Sequence, residues 1–197
     1  MAFDIALRAD ATALAFTTSA GDIIATVPLG EAERIVGQLR QLAWARRIDQ
    51  ISLAQRRAVL PMEIEPAAHG GNFMFGSKVA IVVRPDREAT LLLINVDSGG
   101  RVSVLYPAIE AETGRLRALQ AQHIPRRPEM LEVQPPEGMD MQFAWAFDEA
   151  PPELGKLLRL TALDAADPRL AALEPMLKRL AGRYAYARTE LRAFMPR

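Results

Sequence analysis

The sequence predicts an α+β fold: an antiparallel β-sandwich-like core with one helix inserted early and a C-terminal helix closing the chain. Three patterns carry that prediction. Residues 77–150 hold a succession of apolar, β-favouring runs separated by glycine and proline. Residues 31–47 change to a helical period, and the apolar residues between Leu173 and Phe194 step by four and three. One domain over 1–197 accommodates all three: N-terminal strands and a helix over 1–66, the β-rich core over 77–150, and a closing helix over 167–194 packed on that core.

Short strands open the chain. In "FDIALRA" the apolar Phe3, Ile5 and Leu7 alternate with Asp4 and Arg8, and "DIIATV" follows the turn residues "SAGD". The helix over 31–47 places Ile35, Val36, Leu39, Leu42 and Ala43 on one stripe. Glu31 and Glu33 in its first turn, with Arg46 and Arg47 in its last, complement the helix dipole. A strand is expected from Leu53 to Glu65, interrupted at Pro61 and closed by Pro66. The glycine-rich loop "AAHGGNFMFG" follows.

The core then runs through "SKVAIVVRP", "ATLLLINV", "RVSVLYP", "MLEVQ" and "MDMQFAWAF". Between Tyr106 and Pro128 the chain is irregular, and residues 157–163 suit one more strand. The Gly-Gly break in "INVDSGGRVSVLYP" is a hairpin turn. Leu92, Ile94 and Val96 share a face before it, and Val102, Val104 and Tyr106 share one after it. A phosphate-binding loop would open a helix, whereas a β-favouring run follows here. The row Met141, Phe143, Trp145, Phe147 reads as the inner face of a sheet, with Ala144 and Ala146 packed closely on the other face. At the end, Leu173, Leu177, Leu180, Tyr184, Ala187, Leu191 and Phe194 form a heptad-like seam. Asp167 is placed to cap that helix, with Pro168 in its first turn.

Composition removes several activities. There are 24 basic and 24 acidic side chains, so no overall field gathers DNA or anionic lipid, and neither nucleic acid nor membrane is expected as a partner. Cysteine is absent, which excludes thiol nucleophiles and thiolate metal sites and fits a cytoplasmic location. No basic-then-apolar leader and no long apolar window are present. "HGG" at His69–Gly71 is reminiscent of an esterase oxyanion loop, but no serine has the glycines of a nucleophile elbow. His69 and His123 are the only histidines, too few for a usual zinc site. The acidic pairs Glu110/Glu112 and Asp148/Glu149 read as solvated surface. No catalytic residue, cofactor or metal is therefore assigned.

At "ATLLLINVDSGGRVSVLYP", followed by "LEVQPPEGMDMQFAWAF", the chain resembles a bacterial family, domain of unknown function 4384. The pattern is a strand, a short turn at Asp97–Gly100, a strand ending in Leu105-Tyr106-Pro107, and Pro135-Pro136-Glu137-Gly138 before a final apolar strand. Ala108 departs from it, standing where an asparagine often follows the proline. The likeness covers residues 77–150. Such domains are typically attached to caspase-like peptidases, protein kinases or envelope lipoproteins, and carry no established catalytic residues. The absence of a lipoprotein signal favours the first setting.

The resemblance thus implies a non-catalytic binding or regulatory module, the C-terminal part or partner of a bacterial caspase-like peptidase. Its partner would be a protein or the attached peptidase domain. Candidate partner-binding residues are Tyr184, Arg188 and Leu191 on the closing helix, and the basic pair Arg126 and Arg127. Two alternatives remain open: a small hydrolase joining His69 or His123 to a carboxylate, and a self-associating scaffold, a homo-oligomer built through the C-terminal helix.

Overall fold

A computed structural model of the chain describes residues 5–67, 71–107, 114–126, 128–157 and 162–195. His69, Ala108, Glu110, Glu112 and Arg127 lie outside the described residues, as does most of the strand expected over 157–163. The fold is mixed α and β, as the patterning predicts.

Strands β1 (Ile5–Ala9), β2 (Ala13–Thr18) and β3 (Ile23–Pro28) form an antiparallel meander. Helix α1 (Ala32–Gln55) follows, two turns longer than its predicted span. Its buried face is not the predicted stripe, of which Val36, Leu39 and Ala43 are exposed. It runs through Gln38, Gln41, Leu42 and Ala45 and on past Arg46-Arg47 through Ile48, Asp49 and Ser52 at helical spacing, so packing carries the helix beyond the basic pair. Leu53–Gln55, expected as strand, are its last turn. Extended backbone resumes with β4 (Ala58–Val59) and β5 (Met62–Glu65).

The remaining strands are β6 (Asn72–Met74), β7 (Lys78–Val83), β8 (Ala89–Val96), β9 (Val102–Tyr106), β10 (Arg115–Leu116), β11 (Gln122–Ile124), β12 (Leu131–Glu132) and β13 (Gly138–Phe147). The chain then passes through a short helix α2 (Leu154–Leu157), helix α3 (Leu173–Arg179) and β14 (Tyr184–Phe194). A large sheet is ordered β10-β8-β13-β14-β4. In it β9 extends the β8 edge, and β6 the β14 edge. A small sheet is built on β7, paired with β5 on one side and with β11 and β12 on the other.

The C-terminal helix predicted over 167–194 is not what the chain forms. Helical structure ends at Arg179, and Gly182 takes a left-handed conformation (φ +74°), the usual helix stop. Tyr184–Phe194 then pairs antiparallel with all ten residues of β13. The residues explain the choice. Tyr184-Ala185-Tyr186-Ala187 alternates large and small with period two, which fits a strand between helices and a second sheet better than a one-faced helix. Tyr184 and Leu191, one heptad apart, consequently point to opposite faces of the sheet. A helical self-association seam does not exist there.

Period two divides the large sheet into two buried faces. Met141, Phe143, Trp145 and Phe147 share one with Leu92, Ile94, Tyr184 and Tyr186, and they pack on α1, α3 and the meander. The Trp145 and Tyr186 rings lie 5.6 Å apart, and Trp145 Nε1 donates to Ser52 Oγ of α1 at 2.9 Å. The opposite face carries Leu91, Leu93, Ala144, Ala146, Ala185 and Ala187 against Ile81 and Val83 of the small sheet, making the sandwich. Alanine at four of those positions lets the two sheets approach closely.

Candidate functional site

The glycine break is a hairpin turn between β8 and β9. Asp97 N donates to the Arg101 carbonyl at 2.9 Å, Gly100 N to the Asp97 carbonyl at 3.1 Å, and Gly100 has φ +91°. The register slips once below the turn: Ile94 faces Val104, but Leu93 faces Tyr106. Leu105 is the extra residue of a bulge. Val102 and Val104 therefore face the helices, while Tyr106, expected on the same face, packs into the sandwich side. Leu105 is turned into a cleft between the two sheets.

That cleft, about 210 Å³, is the candidate site. Val79 and Ile81 of β7, Leu105 of β9, Leu131 of β12 and Leu191 of β14 supply its apolar walls. Its floor is polar, because the sandwich-facing positions of the large sheet change character along their length. On β13 they read Ala146, Ala144, Gln142, Asp140, and on β8 Asn95 follows Leu91 and Leu93. The pairing register sets Gln142 directly opposite Asn95.

These three side chains form a directed chain of hydrogen bonds. Gln142 Nε2 donates to Asn95 Oδ1 at 2.9 Å, and the Asn95 amide donates to the Asp140 carboxylate. Asp140 Oδ1 also accepts from Ser98 N of the turn at 2.9 Å, and Ser98 Oγ donates to the Pro136 carbonyl at 3.1 Å. Burial pushes the Asp140 carboxyl up to about 6. The neighbouring Asp97 adds to this, and the hydrogen bonds from Ser98 and Asn95 oppose it. Because both amides are aligned toward the carboxylate, Gln142 Oε1 remains at the far end of the chain, buried without a partner. Such an atom calls for a donor.

Gly138 ties this end of the sandwich to the meander. With φ +149°, it lies so close to the chain that a Cβ there would stand 2.4 Å from the Ile24 carbonyl and 2.6 Å from Ser98 Cβ. A second cleft, about 250 Å³, flanks the other side of the turn. It is lined by Gln38 of α1, Gly99, Gly100 and Pro136.

The predicted partner-binding residues are dispersed. Tyr184 is buried edge-on against Phe147, ring centroids 5.8 Å apart, and burial raises its phenol to about 12. Arg188 reaches α1, where Arg188 Nη1 lies 2.7 Å from Asp49 Oδ2 and Tyr186 OH donates to Asp49 Oδ1 at 2.6 Å. Leu191 lines the inter-sheet cleft. Arg126 is exposed on an open basic basin of about 460 Å³ with Arg115, Arg117 and His123. His123 Nε2 lies 3.1 Å from Glu65 Oε2, and the residues lining the basin include no serine or threonine. Among the described residues no group of three or more His, Asp or Glu side chains is arranged to hold a metal. No helix there is long and apolar enough to cross a membrane.

Residues 72–146 match the model of the family described as Domain of unknown function (DUF4384). Over this segment the chain is similar to that family. No curated protein and no solved structure matches the chain. The matched segment runs from the start of β6 to one residue short of the end of β13. It therefore contains the β8–β9 turn, Asn95, Asp140, Gln142 and every cleft wall except Leu191, which β14 adds from outside. Asn95, Asp140 and Gln142 escape sequence reasoning as a site, although their signal is present: polar residues at inward positions of "LLLINV" and "MDMQFAWAF".

Proposed function

We propose that the domain is a non-catalytic binding module that recognises a protein partner, working beside a caspase-like peptidase domain in the same chain or complex. The observation that supports this most is the inter-sheet cleft: apolar walls contributed by both sheets over a floor that ends in an unpaired acceptor, Gln142 Oε1. A few convergent polar groups in an apolar cleft fix the orientation of what enters it, which is the work of recognition. A peptidase setting accords with the family's usual company.

The test is a titration of methyl-labelled protein with short capped peptides spanning apolar, basic and acidic side chains. Saturable shifts are expected at the methyls of Leu105, Leu131 and Leu191. Peptide hydrolysis by the domain, or shifts confined to other surfaces, would contradict the proposal.

A further inference from the structure

We infer that the occupant of the inter-sheet cleft is a basic side chain, lysine or arginine, presented by the partner. The inference rests on the binding reading above and names its ligand.

Two independent observations converge on it. The first is charge. The ionisable residues lining the cleft are Asp97 on the turn, Glu132 on β12 and Asp140 on β13, all acidic. Glu132 is ion-paired with Lys78 at the rim, whereas neither Asp97 nor Asp140 has an ion pair among the described residues. The second is hydrogen-bond direction. Gln142 is only 3% exposed, and its Oε1 has no donor. The adjacent Asp140 carboxylate is hydrogen-bonded by Ser98, through both its N–H and its side chain, and by the Asn95 amide, and its two oxygens offer about four acceptor positions in all. The unfilled capacity at the floor thus consists of acceptors beside a buried negative charge. An ammonium or guanidinium brings donors only and carries the opposite charge. Its aliphatic stem matches the walls formed by Val79, Leu105, Leu131 and Leu191. An acidic side chain would meet like charge and no donor.

The pH dependence follows from Asp140 itself and the other charged groups of the cleft, which are Asp97, acting directly on Asp140, and Glu132, paired with Lys78. With the Asp140 carboxyl at about 6, its ionised fraction falls about tenfold between pH 7 and pH 5, and affinity for a cation falls with it.

The experiment compares three probes on the intact chain by methyl and side-chain amide NMR: the Nα-acetyl N-methylamides of arginine, lysine and norleucine. Norleucine keeps the stem of lysine and lacks its charge. The basic probes should shift Asn95, Gln142 and the cleft methyls, binding at least about tenfold more tightly than norleucine at pH 7. They should lose about that factor at pH 5. Asp140→Asn and Gln142→Met should each weaken the basic probes relative to norleucine, removing their roughly tenfold preference, with a retained melting transition showing that the variants fold. Equal or tighter binding of norleucine in the cleft would overturn the inference while leaving the binding module intact. Failure of all three to shift the cleft would overturn both, and basic probes binding only elsewhere would overturn the inference.

Discussion

Replacing Asp140 by asparagine should change how stability depends on pH, in a direction the structure dictates. Asparagine keeps the oxygen that accepts from Ser98 N at 2.9 Å but carries no titrating group. In the folded protein the Asp140 carboxyl sits at about 6 against an ordinary value of 3.8, chiefly because it is buried. Between those values the folded chain holds a proton that the unfolded chain releases. The contribution of this group is therefore fully present below about pH 4 and is lost as pH rises through 6. At about 1.4 kcal/mol per pH unit of displacement, the loss is up to about 3 kcal/mol. Urea unfolding followed by tryptophan fluorescence at pH 4, 5, 6 and 7 gives the free energy of each protein. The difference between wild type and Asp140→Asn isolates this carboxyl, because every other titrating group is common to both. That difference should move by up to about 3 kcal/mol in favour of the variant from pH 4 to pH 7. A difference constant to within about 0.5 kcal/mol would refute the burial argument, since the same linkage requires a slope wherever the two states bind protons unequally.

Ser52→Ala should cost about 1–3 kcal/mol by leaving the buried Trp145 indole N–H unpaired, seen as a lower melting temperature; an unchanged one would remove this bond from the account. Asp49→Ala should cost about 1–3 kcal/mol by removing the acceptor of the buried Tyr186 hydroxyl and the closer of the two carboxylates paired with Arg188, which keeps Glu190 at 3.5 Å. The double variant Asp49→Leu, Arg188→Met should recover much of that loss in urea titrations, and no recovery would count against a buried-charge penalty. Gly138→Ala should destabilise by about 3 kcal/mol or more, since its Cβ would strike the Ile24 backbone; near-wild-type unfolding would show that the contact relaxes.

Much of the scaffold is legible in the residues. The Asp97–Gly100 turn and the alternation of Met141, Phe143, Trp145 and Phe147 declare themselves by period and turn chemistry, and the structure bears both out. By contrast, α1 forms as a helix but buries Gln38, Gln41, Leu42, Ala45 and Ile48 and leaves Val36, Leu39 and Ala43 of the predicted stripe exposed. The C-terminal segment misleads because two periods coexist in it. Leu173, Leu177 and Leu180 are indeed helical or end the helix, and steps of four and three can be continued through Tyr184 to Phe194, where the chain is strand. Burial on both faces and pairing with β13 outweigh any one-faced seam. The bulge at Leu105 depends on pairing that local sequence does not encode, and it alone moves Tyr106 across the sheet. The cleft floor shows the same division. Asn95 and Gln142 stand out in apolar runs, but only the register that sets them opposite each other, with Asp140 beyond, turns three isolated polar residues into a directed chain.

The most direct test of the account is a crystal structure of the protein with Nα-acetyl-arginine N-methylamide. The guanidinium is predicted between the sheets, about 3 Å from both the Asp140 carboxylate and Gln142 Oε1, with its stem along Leu105 and Leu131. A probe seated in the basin of Arg115, Arg117 and Arg126, or beside Gln38 at the turn, with only solvent between the sheets, would contradict it.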